Sequence, residues 1–215
     1  MSSPTGRGPG RPRKQPPDEQ RRAVLLAARH VFATHGRHGA TVGQIAHDAG
    51  VTRQRVYEQF GDRATLFTAV VSDVEERVFE WVGARARDNS EPNLRQWARR
   101  NYAAMFDFVA AAPDAMPVLA EAERCGDPAM GRLRTRLAEV YVEASRQRWA
   151  AYGIEPGRAD TALATMYLAM TESLVKLPWQ GDPPDRDALV ELLTEFTIGG
   201  VLRLHEHPEI IARLH

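Results

Sequence analysis

Three consecutive polar side chains, Arg53, Gln54 and Arg55, open a short predicted helix in the front third of the chain. An arginine can make two hydrogen bonds to O6 and N7 of guanine, and a glutamine can make two to N6 and N7 of adenine. Helices that read DNA present their N-terminal residues to the base edges. Gln54 and Arg55 are therefore the predicted base readers, with Arg53 beside them. The alternative is an ordinary solvated turn of helix.

Further side chains of this segment are suited to phosphate oxygens. Thr41, Thr52, Tyr57 and Arg63 carry hydroxyl or guanidinium donors, and we predict that they contact the DNA backbone. Such contacts set the register and affinity of a protein on a duplex without reading its sequence. A helix that begins after Asp62 places the positive end of its dipole beside Arg63.

The elements that position these residues have the pattern of a helix-turn-helix at about residues 41–60. Thr41 and Gln44 have the spacing of a capping box, which predicts a helix start. Gly50 lies where a short interhelical turn needs a positive φ, and Thr52 is suited to capping the second helix. Ile45 and Ala46 are predicted to face inward, and Val51 and Val56 to fill the angle between the two helices.

The remaining sequence predicts helices separated by proline and glycine. No segment shows the two-residue alternation of a strand. We predict an all-α fold in which an N-terminal three-helix DNA-binding domain, residues 18–67, precedes a C-terminal helical domain, residues 68–215, for ligand binding and dimerisation. The helices predicted after the fourth are Asn93 to Ala112, Ala115 to Arg124, Pro128 to Tyr152, Pro156 to Leu177 and Pro184 to His205.

Residues 1–17 are predicted to be a disordered basic arm. Gly10-Arg11-Pro12, followed by Arg13 and Lys14, resembles the core of an AT-hook, whose basic side chains enter a narrow A·T-rich minor groove. A tail that adds affinity without sequence preference is the alternative. Through Phe67 the chain has 11 Lys and Arg against 5 Asp and Glu, and beyond it 17 against 23. This asymmetry favours a polyanion-binding front.

Other classes of protein find little support in the sequence. The single cysteine, Cys125, excludes an internal disulfide framework, although a redox role beside Arg124 is conceivable. No apolar run approaches 18 residues and no secretory leader is recognisable, so we expect a cytoplasmic protein without a membrane partner. No nucleophile, phosphate-loop or histidine-carboxylate pattern predicts catalytic residues, a metal site or a cofactor, so we do not expect an enzyme.

Taken together, the front motifs resemble the TetR family of bacterial regulators over about Arg21 to Phe67. The matching residues are Ala27, Ala28, Phe32, Gly36, Thr41, Ile45, Ala46, Ala49, Gly50, Val51, Thr52, Tyr57, Phe60 and Leu66. The resemblance implies that Thr41, Thr52, Tyr57 and Arg63 hold the DNA backbone, with Arg63 where the family usually has lysine. The family usually carries small residues where Gln54 and Arg55 stand, so its operator sequences do not transfer.

For the C-terminal region the resemblance implies a ligand cavity and a homodimer formed by the last two long helices. Apolar stripes that suit this pairing, or else the monomer's own core, are Leu163, Met166, Tyr167 and Met170 on one helix and Leu189, Leu192, Leu193, Phe196 and Leu202 on the other. Gly199 and Gly200 permit close approach. The candidates for a cavity lining, or for ordinary core, are Trp81, Trp97, Tyr102, Met105, Phe106, Met116, Tyr141 and Trp149.

The sequence therefore predicts a homodimeric transcriptional repressor that binds double-stranded operator DNA of palindromic sequence and is released by a small apolar effector. One short recognition helix reads too few bases for high specificity, whereas two spaced copies read a palindrome. The alternatives are an activator, a regulator that answers to a partner protein, and an architectural DNA-binding protein without a small-molecule effector.

Overall fold

The computed structural model describes residues 16–88, 90–150, 159–177, 184–207, 209–210 and 213, without the side chains of residues 149, 150 and 205. Across these residues the chain forms nine α-helices and no strand, which confirms the all-α prediction. The helices are α1 (Pro17–Gly39), α2 (Val42–Asp48), α3 (Arg53–Phe60), α4 (Arg63–Arg87), α5 (Leu94–Ala111), α6 (Ala115–Arg124), α7 (Ala129–Ala150), α8 (Ala159–Lys176) and α9 (Arg186–Glu206).

The first three helices, which we call the head, pack around one apolar cluster. Residues at three- and four-residue spacing on α1, including Val24, Ala28 and Phe32, are almost wholly buried. The Phe32 ring meets the Phe67 ring of α4 edge to face, with 4.9 Å between centroids. Ile45 of α2 is fully buried in the same core. Burial of this kind stabilises each helix far more than its own propensity.

Helix α4 connects the head to α5–α9, which we call the body. Its N-cap Asp62 accepts a hydrogen bond of 2.7 Å from the Thr65 backbone N–H, and this bond lowers the Asp62 pKa. The helix packs against α1, α5, α6 and α7. Its inward stripe is buried along its length, namely Leu66, Phe67, Val70, Val71, Val74, Val78, Val82 and Ala86. Such a stripe is what a core helix of 25 residues requires.

Ion pairs join α7 to its neighbours in the body. The Arg132 guanidinium lies 2.7 Å from Oε2 of Glu75 on α4, and the Glu75 side chain is only 8% exposed. Arg134 makes two bonds, of 2.9 and 2.7 Å, to the Glu172 carboxylate of α8. Because both oxygens of Glu172 are bonded by one planar guanidinium, the pair fixes the relative register of α7 and α8.

Most predicted helix ends are confirmed, and the differences concern prolines and one glycine. Pro184 was expected in the first turn of α9, but Asp185 is the N-cap, where its side chain accepts a bond from the Ala188 N–H. Pro128 likewise precedes α7, and Pro156 lies outside the described residues. Gly36, expected as a stop, instead kinks α1 with φ 68° and ψ 175°, and a final helical turn follows it.

None of the helices in the described ranges is, by itself, long and apolar enough to span a membrane. The pair α5 and α6 meets the length and composition criteria jointly, but it is bent by 91°.

Candidate nucleic-acid interface

The start of α2 is fixed by the predicted capping box. The Thr41 Oγ1 accepts a bond of 3.2 Å from the Gln44 N–H, and the Gln44 side chain accepts one of 3.0 Å from the Thr41 N–H. The Thr41 hydroxyl also donates to Gln44 Oε1 at 2.7 Å. Thr41 is exposed, so a phosphate contact needs only the hydroxyl proton to turn away from Gln44.

The turn between α2 and α3 uses glycine as the sequence predicts. Gly50 has φ 64°, a left-handed conformation that is strained for residues with a Cβ atom. The turn directs α3 across α2, and Val56 at 2% exposure fills the angle between them with Ile45 and Ala46. Val51 is half-buried against the same cluster. Thr52 caps α3 by accepting a bond of 3.3 Å from the Arg55 N–H.

The outward face of α3 carries the predicted base readers. Arg53, Gln54 and Arg55 are all exposed, and the Tyr57 side chain beyond them is 51% exposed. The structure thus brings two of the predicted readers, Gln54 and Arg55, together with the phosphate candidates Thr52 and Tyr57 on the exposed side of α3. Helix α3 is eight residues long, or about 12 Å, which suits insertion of one end into a major groove.

Glu58 holds two of these readers. Its Oε1 accepts a bond of 2.9 Å from the Gln54 amide, and its Oε2 pairs with Arg55 Nη1 at 2.8 Å. Both partners are exposed, so water and salt weaken these contacts. The sequence interpretation missed Glu58, although its i+3 and i+4 spacing from the readers is a recognisable signal.

Arg53 lies apart from the other two readers, over the first turn of α2. A Cβ built on Gly43 would lie 2.6 Å from Arg53 Nη2, so only glycine leaves room for the guanidinium in this position. Arg53 also borders an open cleft between α1 and α2, whose rim includes His30, His35 and His47. The guanidinium therefore projects beside α2 rather than straight out from α3.

Arg63 is occupied within the protein. Its Nη1 donates to the carbonyl oxygens of His38 and Ala40 at 3.1 and 3.0 Å, and the residue is half-buried. These bonds tie the start of α4 to the segment between α1 and α2. The predicted phosphate contact must therefore come from the remaining guanidinium nitrogens, and Arg63 also has a positioning role that the sequence did not indicate.

The basic arm, with Arg11, Arg13 and Lys14, lies outside the described residues. Its expected entry into a minor groove stays a prediction.

A cavity of about 130 Å³ lies in the body between α5, α7, α8 and α9. Of the predicted lining residues, Trp97 and Tyr141 line it, and the Trp149 side chain lies outside the described residues. The prediction was wrong for Trp81, whose indole N–H instead bonds the Ala104 carbonyl at 3.1 Å. The other candidates are not among its lining residues and belong to the core, the alternative that the sequence left open, or pack against it: Tyr102, Met105, Phe106 and Met116.

Some of the apolar side chains predicted to form stripes on α8 and α9 are buried in the core, and others are exposed on the surface. Those buried in the monomer's own core are Tyr167, Leu189 and Leu193. The exposed ones, with their exposed fractions, are Met166 (55%), Leu192 (60%), Phe196 (65%) and Leu202 (50%). A Cβ built at Gly199 or Gly200 meets no other atom within 4 Å. These exposed side chains of α8 and α9, which we call the apolar face, are left uncovered by the described part of the chain.

Comparison with known proteins adds a family match over the head. Residues 24–70 match the model described as bacterial regulatory proteins, tetR family. The chain is 28% identical over 200 residues to the HTH-type transcriptional activator FasR of Mycolicibacterium smegmatis, covering 90% of this chain and 88% of FasR. It is 36% identical over 66 residues to the HTH-type transcriptional repressor AcnR of Corynebacterium glutamicum, which is 31% of this chain and 35% of AcnR.

Solved structures agree over most of the fold. A TetR-like transcriptional regulator from Rhodococcus sp. RHA1 superposes with a TM-score of 0.70 at 20% identity, covering 88% of this chain and 99% of that one. AibR in complex with isovaleryl coenzyme A and operator DNA superposes with a TM-score of 0.64 at 16% identity, covering 82% and 97%. At these low sequence identities, the superpositions support the fold of the head and the body and nothing further.

Proposed function

We propose that the chain is a homodimeric repressor of the TetR family of bacterial regulatory proteins, whose model its residues 24–70 match, and that a small apolar ligand releases it from a palindromic operator. The observation that carries the proposal is the outward face of α3, where Gln54, Arg55 and Tyr57 are exposed together behind a capped helix start. Gln54 and Arg55 read base edges, while Thr41, Thr52, Tyr57 and Arg63 contact phosphates.

Two copies are needed for the proposed specificity. A single α3 reaches a few base pairs, whereas two copies about one turn of DNA apart read twice as many. The exposed apolar face of α8 and α9 is suited to the pairing, since Leu192, Phe196 and Met166 leave water when they meet a second copy. A twofold axis through this face matches the symmetry of a palindrome.

The body supplies the proposed response to a ligand. Its cavity has an apolar lining, so an apolar molecule is the effector that we propose. The isovaleryl coenzyme A named with AibR makes short acyl thioesters the first compounds to test. To empty the operator almost completely, the ligand must bind the DNA-incompetent state more tightly, by about 5 kcal/mol.

Selection of sequences from random duplex DNA with the purified protein tests the proposal. We expect a palindrome that is preferred over scrambled DNA by about 10³-fold at physiological salt. In Arg55→Ala, preference at one base position should relax by about 1–3 kcal/mol, with Arg85→Ala, an exposed arginine in the last turn of α4, as control. Binding without sequence preference would instead identify an architectural protein.

The arm has its own experiment. Deletion of residues 1–16 should weaken operator binding and flatten the dependence of log K on log salt, because fewer counterions are released. An unchanged slope would remove the arm from the proposed interface. Loss of an A·T preference beside the palindrome in the same deletion would favour minor-groove entry over a nonspecific tail.

An activator is the second candidate, and one observation favours it. FasR, which matches 90% of this chain, is named an activator, whereas the match to the repressor AcnR covers 31%. In vitro transcription from a promoter with the selected palindrome distinguishes the two. A repressor lowers the transcript yield and the ligand restores it, while an activator raises the yield.

A further inference from the structure

Three tyrosines from three helices pack against one another in the body. The ring centroid of Tyr167 on α8 lies 4.3 Å from that of Tyr102 on α5 and 4.7 Å from that of Tyr141 on α7. All three residues are buried. Tyr141 and Tyr167 line the cavity, whereas Tyr102 is not among its lining residues. The aromatic cluster therefore places two phenol groups on a buried part of the cavity wall.

The hydroxyls of the three tyrosines differ in their hydrogen bonds. The Tyr102 hydroxyl is bonded to that of Thr197. The Tyr141 and Tyr167 hydroxyls are near enough to affect each other's pKa, yet the buried Tyr167 hydroxyl has no hydrogen bond of good geometry to any described residue. Two hydroxyls carry two protons, so even when one donates to the other, one donor still needs an acceptor.

This remaining donor is a proton source for a hydrogen bond and not a charge. Burial raises the pKa of Tyr141 and of Tyr167 above its ordinary value, so both hydroxyls stay protonated at neutral pH. The other lining hydroxyls have partners already: Ser145 donates to the Val142 carbonyl at 3.0 Å, and Thr197 is bonded as described. A buried donor without an acceptor costs free energy, which an acceptor inside the cavity recovers.

The rest of the lining restricts the molecule that brings the acceptor. No described residue of the lining is charged, so an ion would lose its hydration without a partner of opposite charge. Aliphatic side chains such as Leu163, Met170 and Ile198 complete the wall. The cavity of about 130 Å³ is close in size to an apolar protein cavity of about 150 Å³ that binds benzene.

We propose that the cavity binds an uncharged molecule with one acceptor oxygen, such as a ketone or ester carbonyl, which accepts the remaining proton of the Tyr141–Tyr167 pair. The hydrocarbon part of the molecule, about six to eight carbons, fills the apolar space. This inference rests on the proposed function, because it specifies the chemical class of the effector. Binding is measured without DNA, so failure of this inference is distinguishable from failure of the proposed repressor function.

Titration calorimetry on the full chain tests the proposal with two probes. Cyclohexanone carries the acceptor oxygen, and toluene has the same number of non-hydrogen atoms but no acceptor oxygen. In the double variant Tyr141→Phe/Tyr167→Phe, cyclohexanone affinity should fall at least about fivefold, because its buried carbonyl loses both donors. Toluene affinity should stay the same or rise, because toluene no longer faces a hydroxyl. The double variant is used because either hydroxyl alone could serve the carbonyl.

Tyr102→Phe is the matched control. It removes a hydroxyl from the same aromatic cluster, but that hydroxyl belongs to a residue outside the cavity lining and is bonded to Thr197. It should not lower the affinity for cyclohexanone relative to that for toluene. Unchanged cyclohexanone affinity in the double variant overturns the proposal. An equal loss of both probes also overturns it, because such a loss would come from packing and not from the hydrogen bond.

The charge of the ligand is tested on the wild-type protein. Benzoate, in which a carboxylate replaces the methyl group of toluene, should bind at least about tenfold more weakly than toluene. Benzoate binding as tight as that of toluene would contradict the uncharged class. A wild-type protein that binds neither cyclohexanone nor toluene would overturn the site itself.

Discussion

The carboxylate of Glu121 on α6 accepts a hydrogen bond of 2.9 Å from the backbone N–H of Arg37, the residue that follows the kink in α1. The donor lies in the last turn before the helix-turn-helix, and the acceptor belongs to the body. Arg37 also places its guanidinium 5.4 Å from the Phe67 ring centroid of α4. One side chain of the body therefore contacts the main chain of the head directly, beside the packing of α1 on α4 and α6.

We predict that Glu121→Gln lowers the free energy of unfolding by about 0.5–1.5 kcal/mol, because a charge-assisted hydrogen bond becomes a neutral one. Glu123→Gln on the same helix removes a carboxylate that pairs with Arg134, where both side chains are more than 40% exposed, and should change stability by less. Chemical denaturation measures both. Equal effects in the two variants would show that the Arg37 contact does not hold the head.

The same contact makes stability depend on pH in a defined direction. Hydrogen bonds from Arg124 and from the Arg37 N–H hold the Glu121 pKa below its ordinary value of 4.5. A carboxyl with a lowered folded-state pKa contributes stability above its unfolded pKa, and the contribution is lost as pH falls through the folded value. The difference in unfolding free energy between wild type and Glu121→Gln should thus be constant at neutral pH and shrink below pH 4.5. A difference that grows on acidification would contradict the assignment.

Gly36 should resist substitution. Its φ of 68° with ψ of 175° lies in a region almost restricted to glycine, and an added Cβ would lie 3.3 Å from Glu121 Oε1. We expect Gly36→Ala to destabilise the protein by about 1–3 kcal/mol. In contrast, Gly131→Ala in the first turn of α7, where an added Cβ meets nothing within 4 Å, should stabilise it by up to about 0.5 kcal/mol. Thermal unfolding of both variants provides the check, and a neutral Gly36→Ala would refute the constraint.

Two buried tyrosines should respond differently to loss of their hydroxyls. Burial raises the pKa of Tyr102 to about 12, and its hydroxyl bonds that of Thr197. The buried Tyr167 hydroxyl has no hydrogen bond of good geometry in the described structure, although Tyr141 is near enough to affect its pKa. Tyr102→Phe should therefore destabilise by about 0.5–1.5 kcal/mol, while Tyr167→Phe should be neutral or stabilising. The denaturation midpoints of the two variants measure these changes in stability. A larger loss of stability in Tyr167→Phe than in Tyr102→Phe would show that the Tyr167 hydroxyl is the one with the stronger hydrogen bond.

Glu58 should restrain binding to DNA of any sequence. Glu58→Ala frees Gln54 and Arg55 and removes a negative charge that would face the phosphates, so affinity for nonspecific duplex should rise about three- to tenfold at low salt. Glu139→Ala removes an exposed negative charge from α7 in the body and controls for net charge. Fluorescence anisotropy at several salt concentrations measures both. Equal gains would mean that overall charge, and not the reading face, is responsible.

The helix-turn-helix could be predicted closely from sequence because its signals are local. Thr41 and Gln44 cap one helix, Thr52 caps the next, and Gly50 takes the positive φ that the turn demands. Each signal depends on residues within four positions of one another, so no knowledge of the rest of the fold is needed.

Tertiary relationships could not be predicted in this way. The bonds of Arg63 to the His38 and Ala40 carbonyls cross more than twenty residues, and both partners are backbone atoms without a sequence signature. The sequence suggests a cavity lined by aromatic and methionine residues of α4 to α7, yet much of its lining comes from α8 and α9. An apolar residue has the same periodicity whether it faces a core, a cavity or another subunit, so only the packing distinguishes these environments.

The length of α4 gives small rearrangements of the body a large effect on recognition. Its 25 residues make a rod of about 37 Å, continuous from the cap at Asp62 to the body. Pivoting such a rod by about 5° displaces its tip by about 3 Å, roughly the length of one hydrogen bond. Base-edge contacts fail over a fraction of that distance. In the proposed dimer, the angle of α4 therefore determines whether both copies of α3 can reach their grooves at the same time.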